Sequence, residues 1–392
     1  MSLRSILSTL ALLSASTSLV GAQAAARLSV RADNSLALVR HDETVSIPWG
    51  EVQRRLGAPK ADHVRVVDAE GREVPSQVVD DNGDGTLDAL IFQGDFGAKE
   101  ARHFVIEAAA PAAKYEPKVA VRHDDPRDDM AWESDRVAFR IYGEGLKKTS
   151  SAMSSSGIDV WNKKTRALIV EKWYSKGHDS YHVDTGEGAD FYDVNETLGN
   201  GGVAGWAKDT IWRADNFKQW RVIAAGPVRA IFELKYDPWN VNGKMISETK
   251  RIAIDAGSNL YRAESIFETP GGGDIPYVIG TVKRPGMIGT MSRNNPWAWV
   301  TGWGPVAPKS GGHGEMGTAV LLPAKAVTDW KEVFGHYLAV SHATSGKPVV
   351  HYIGAGWTDS GDFPTPQSWW KYLDDMAQRL DAPIRITLDA AH

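Results

Sequence analysis

The sequence predicts a mainly β protein: a small N-terminal β domain, then a large antiparallel β-sandwich with a C-terminal helix. Three observations carry this. Short apolar stretches recur along most of the chain, Gly, Asn, Asp and Pro turns separate them, and only one long stretch has helical spacing. In the first domain, residues 26–113, the stretches are Leu28–Val30, Leu36–Val39, Val64–Val67, Ala89–Phe92 and His103–Ile106. Turns at Ala69-Glu70-Gly71 and Asn82–Gly85 punctuate them, and Pro48–Leu56 reads as a helical turn. Residues 114–131 lie in a charged, proline-bearing, aperiodic stretch and read as a linker. The second domain, 132–392, shows strand patterns at Val137–Tyr142, Trp220–Ile223, Val228–Leu234, Ser247–Ile254 and Asn259–Phe267. Near its end Trp370, Leu373, Met376, Ala377 and Leu380 share one face of a helix over Pro366–Leu380, with Thr365 placed to cap it.

Met1–Ala24 reads as a secretory signal peptide, with Arg4 before the apolar stretch Leu7–Val20 and an A-x-A processing site at Ala22-Gln23-Ala24. The expected location is periplasmic or secreted. The apolar stretch is too short and Ser-rich to span a membrane, and no later segment approaches the required ~20 apolar residues.

The chain has no cysteine, so thiolate catalysis, disulfides and Cys-ligated metals are excluded. With 44 Lys+Arg against 49 Asp+Glu there is no electrostatic footprint for nucleic acid. Fifteen tryptophans beside 38 glycines suit either stacking on sugar faces or filling a large sandwich core.

Four groups of residues bear chemistry. Asp80, Asn82, Asp84 and Asp88 surround glycines in an acidic loop that resembles a structural calcium site, although Ile91 stands where a twelfth-position Glu is expected. A polar hairpin without metal is the alternative, and no cofactor is expected for the chemistry itself. The loop His178–Asp193 holds His178, Tyr181, His182, Glu187, Asp190 and Tyr192 among small residues, a density of contrasting pKa values suited to acid–base work or to a self-bonded surface loop. Arg221 and Arg251 are candidate carboxylate binders. His313 and Glu315 sit in a Gly-rich loop behind Trp297, Trp299 and Trp303, while Trp357 precedes Asp359 and Asp362; these suggest a sugar subsite, or sandwich core beside a surface loop. His336 and His351 lie in apolar strands and read as core residues.

Several stretches together resemble a bacterial family of exported proteins of unassigned function that occur with polysaccharide-degradation systems. They are Val74–Val78 with the acidic loop, Trp132–Arg140, Gly186–Tyr192, and Gly354–Trp357 with Ser360–Pro364. Lys250–Glu264 is similar to paired strands of the galactose-mutarotase-like β-supersandwich, which implies a sugar cleft on a large antiparallel sandwich but no particular reaction.

The expected function is an exported carbohydrate-active enzyme acting on a polysaccharide or oligosaccharide. The favoured chemistry is β-elimination at a uronic acid, with Arg221 or Arg251 neutralising the carboxylate, His182 as base and Tyr181 or Tyr192 as acid. A glycoside hydrolase using two of Glu187, Asp190 and Glu315 is the alternative. A non-catalytic glycan binder stacking sugar on Trp297, Trp303 and Trp357 is the other; His178, Trp303 and Trp357 are the candidate substrate contacts.

Overall fold

The computed structural model describes residues 26–148, 155–307 and 311–390. The signal-peptide reading of Met1–Ala24 lies outside the described residues. The fold is mainly β and its sheets are built from antiparallel pairs. Lys244–Asp255 shows why: Ile246, Glu248, Lys250, Ile252 and Ile254 alternate inward, giving the strand one buried face.

The small N-terminal unit has a five-stranded sheet ordered Arg385–Ala390, Arg27–Asp33, Ala101–Glu107, Arg65–Asp68 and Glu73–Val74. A second sheet of three strands is ordered Arg40–Pro48, Ala89–Phe96 and Ser76–Val79. Their inner faces share one core with helix α1, Trp49–Leu56, which ends at Gly57 in a left-handed conformation. Leu36–Val39 is not a strand. Asn34 bonds the carbonyls of Leu38 and Gly97 and accepts from the N–H of Leu36, so a side chain takes the backbone partners that a ladder would need.

The stretch expected as a linker also differs. Val119–Asp124 is a strand paired with Asp129–Ser134, and this hairpin opens a sheet continued by Ala138–Tyr142, Ile158–Lys163 and Gly188–Asp190. Asp129–Ser134 is buried on both faces, so it lacks the period-two alternation by which a half-exposed strand is recognised. The last strand, Arg385–Ala390, returns to the first sheet, with Val30 opposite Leu388.

An eight-stranded sheet ordered Gln219–Ala225, Arg229–Val241, Lys244–Asp255, Leu260–Glu268, Pro348–Trp357, Glu315–Pro323, Trp297–Pro305 and Ile288–Ser292 forms the centre of the sandwich. Its apolar face shares a continuous core with the Val119–Asp190 sheet and with the sheet of Thr210–Arg213, Asn200–Ala207, Asp274–Val282, His336–Thr344 and Asp329–Val333. Trp132 packs there against Phe139, Phe232 and Tyr261. Helix α2 is Val170–Ser175 and helix α3 is Pro366–Asp381. Thr365 and Ser368 form a reciprocal capping box at the start of α3. Trp369, Leu373 and Ala377 bury the helix against Trp299 and Trp303, and Gly317 leaves room for the Trp369 ring, which a Cβ would meet at 2.6 Å.

Candidate functional site

The loop from His178 is held at both ends. It begins as a 3-10 turn, His178–His182, and ends in Gly188–Asp190 at the edge of its sheet. Gly188 has φ 100°, and a Cβ there would lie 2.0 Å from the Asn162 carbonyl oxygen, so only glycine brings the loop this close. His178 is placed by its backbone; its side chain lies outside the described part of the chain.

Beneath the loop is a buried ionic network centred on Arg140. Its Nε bonds Asp159 at 3.0 Å, its Nη2 bonds Asp190 at 2.7 Å, and its Nη1 donates to the Tyr181 hydroxyl at 3.0 Å. The Tyr142 hydroxyl donates to Asp159 at 2.9 Å, and Arg127 also reaches the Tyr181 hydroxyl. Burial, reinforced by the charge of Asp159, pushes the Asp190 carboxyl well above the usual range against the pull of Arg140. Asp129 is pushed up to about 6 by burial, although Arg140 and a 2.6 Å bond from the Tyr174 hydroxyl oppose it. His182 lies at the margin, its Nδ1 3.0 Å from the Asp190 carbonyl oxygen.

The outer part is a chain of charged groups. Asp184 accepts from Lys164 Nζ at 2.6 Å, from the N–H groups of Gly186 and Gly188 at 2.7 and 3.0 Å, and from His313 Nε2 at 3.0 Å. Burial raises its pKa, but these bonds together outweigh burial and hold the carboxyl well below the usual range. The other ring nitrogen of His313 lies 2.8 Å from Asp359 Oδ2. Asp359 thus faces the His313 imidazole and the Lys164 ammonium, the latter at 3.8 Å. Glu315 instead accepts the neutral indole N–H of Trp303 at 3.0 Å. Thr358 joins the two carboxyl-bearing segments, its hydroxyl donating to Asp359 Oδ1 at 3.0 Å and accepting the Glu315 N–H at 3.1 Å. Trp357 lies below, donating to the His313 carbonyl at 2.9 Å and packing on Phe191.

The structure thus brings the 178–190 loop, His313, Glu315 and Trp357 together, with His182, Tyr181 and Asp190 behind them. Other candidates have different places. Trp303 and Trp357 are 3% and 2% exposed, so neither offers a ring face to a sugar; each supports the rim from beneath. Tyr192 is buried with the Arg284 guanidinium over its ring, and Glu187 is tied to Lys172 and Trp173. Asp190 is buried under the loop and committed to Arg140.

Arg221 and Arg251 do not form a carboxylate clamp. Arg221, Glu233, Arg251 and Glu264 stand directly opposite one another across four strands. They pair in series at 3.0, 3.1 and 2.8 Å. This ladder faces the acidic loop of the small unit, where a Cβ on Gly83 would meet Arg221 at 2.8 Å. In that loop Asp80 accepts from the N–H groups of Gly83, Asp84 and Gly85, Asp84 from Thr86, and Asp88 from Asp81 and Asn82. Among the described residues no group of three or more His, Cys, Asp or Glu is placed to hold a metal ion. The donor arrangement is that of a polar hairpin, which gives the calcium expectation no support. No helix among the described residues is long and apolar enough to cross a membrane.

Sequence reasoning missed Arg140, Asp159 and Lys164 as parts of the site. A charge inside an apolar strand, as in Val137-Ala138-Phe139-Arg140-Ile141 and Ile158-Asp159-Val160-Trp161, was the available signal.

In fold, the chain is similar to an α-mannosidase from Enterococcus faecalis V583, with a TM-score of 0.51 and 11% sequence identity over 93% of this chain. The chain spans 46% of that enzyme's length. The likeness to galactose-mutarotase-like proteins finds no support in these matches. In sequence, it is 31% identical over 373 residues to a protein of Formosa agariphila named Uncharacterized protein P7, covering 91% of this chain and 92% of the relative. Residues 32–386 match the family described as Domain of unknown function (DUF4861), and the chain belongs to that family.

Proposed function

We propose that the protein is a carbohydrate-active hydrolase that cleaves a glycosidic bond at the rim carrying Glu315 and Asp359. One observation carries the reading: two carboxyls on segments joined by Thr358 have unlike surroundings, Asp359 beside an imidazole and a lysine ammonium and Glu315 beside a neutral indole donor. Glycosidic hydrolysis uses such a pair. Asp359 is the base or nucleophile, Glu315 the proton donor to the leaving oxygen, and His313 and Lys164 are positioning residues that hold the Asp359 carboxyl in place. The fold likeness to an α-mannosidase supports a carbohydrate substrate, while that enzyme's own specificity is not carried across. Elimination at a uronic acid loses its support because Arg221 and Arg251 are committed to Glu233 and Glu264. Action outside the cytoplasm, from the Met1–Ala24 pattern, and chemistry without a cofactor belong to the same proposal.

The test is reducing-sugar release from a panel of neutral and acidic polysaccharides and oligosaccharides. Glu315→Gln and Asp359→Asn are each expected to lower kcat by about 10²-fold or more with folding intact. Cleavage that survives both substitutions would place the chemistry elsewhere.

A further inference from the structure

Trp220 is the exposed tryptophan among the described residues, at 42%. It lies on the edge strand of the eight-stranded sheet, where it faces Leu234 in register. His123, from the Val119–Asp124 strand, stacks on it with ring centroids 4.1 Å apart and planes 21° from parallel. The imidazole is itself clamped, its two nitrogens 2.8 and 2.9 Å from the carboxylates of Asp125 and Asp128. With both nitrogens engaged, the imidazole is held in orientation flat against one indole face. The indole's exposure therefore belongs to its opposite face and edge. Val222, two residues along on the same side of the strand, is also exposed.

The same hairpin connects this ring to the candidate site. Arg127, between Asp125 and Asp128, lies with its guanidinium carbon 5.3 Å from the Tyr181 ring centroid. An exposed aromatic face held in orientation from behind matches the apolar C–H face of a pyranose.

We propose that Trp220, held by His123, is a saccharide-binding platform at the open edge of the sandwich, taking a hexose ring on its free indole face. The choice of a saccharide rests on the carbohydrate-active reading above; the platform itself does not require hydrolysis. His123 is a positioning residue, because it fixes the ring without touching the sugar.

The test uses the full chain labelled with 5-fluorotryptophan, with the Trp220 ¹⁹F resonance assigned from Trp220→Phe and the probes α-1,6-mannobiose and cellobiose. A saturable shift of that resonance is expected. By calorimetric titration with the same two probes, Trp220→Ala is expected to raise the dissociation constant about tenfold, with Trp220→Phe restoring most of the affinity. Hydrolysis of either probe without movement of the Trp220 resonance overturns the platform and leaves the hydrolase reading standing. Movement without hydrolysis supports the platform and counts against that reading. If neither probe moves the resonance or is hydrolysed, the platform is rejected together with its saccharide class.

Discussion

At the scale of residues, the rim works through contrast. Asp184, Asp359 and Glu315 are carboxyls with different neighbours: Asp184 is surrounded by donors, Asp359 lies between an imidazole and a lysine ammonium, and Glu315 meets an indole. Beneath them, Asp159 and Asp190 share one guanidinium, and burial favours the neutral form of Asp190. Asp129 gives this burial a measurable consequence. Its folded pKa of about 6 lies above the ordinary carboxylate value of about 3.9, so the native state favours the protonated form. The resulting stability is present below about pH 4 and is lost as pH rises through about 6. Asp129→Asn keeps an acceptor for the Tyr174 hydroxyl and cannot ionise. It should therefore unfold at a higher temperature than the parent at pH 7, with the gap closing at pH 4. A gap that is unchanged between the two pH values would show that Asp129 does not carry this penalty.

At the scale of elements, legibility follows periodicity. Lys244–Asp255 and Leu260–Glu268 alternate between a buried and a half-exposed face, and their sequences read directly as strands. Helix α3 was equally readable because the Thr365 cap and the apolar spacing point the same way. Leu36–Val39 and Val119–Ser134 were not: Asn34 redirects the first, and double burial removes alternation within the second. The energetics of α3 can be tested separately. Trp369 is fully buried, and its indole N–H donates to Thr301 at 2.9 Å, so Trp369→Ala should cost ~3–5 kcal/mol in denaturant unfolding. Thr365→Ala should cost ~1 kcal/mol through the cap. Equal effects from the two would mean that tertiary packing is not what holds the helix.

At the scale of the molecule, two β units are joined by paired polar groups. Arg229 bonds Asp81 at 2.8 Å, Thr44 bonds Asp255 at 2.8 Å, and Gln77 accepts from the N–H groups of Val228 and Arg229. The return of Arg385–Ala390 to the first sheet adds a long-range link that local patterns do not encode. The candidate site has the same character. The sequence marks its members, because His178–Asp193 is dense in ionisable groups and His313-Gly314-Glu315 stands out. Which of them meet depends on contacts such as His313–Asp184, separated by 129 positions. Tryptophan shows the same limit: composition suggested sugar platforms, yet Trp303 and Trp357 are buried while Trp220 at a sheet edge is not.

A hydrolase at this rim adds water across a glycosidic bond. Incubation of the full chain with the oligosaccharide panel in H₂¹⁸O, followed by mass spectrometry of the fragments, tests it most directly. The expected result is one solvent oxygen incorporated per bond cleaved, with loss of the labelled product in Glu315→Gln and Asp359→Asn. Fragments with an unsaturated terminus and no solvent oxygen, or a labelled product undiminished in both variants, would contradict it.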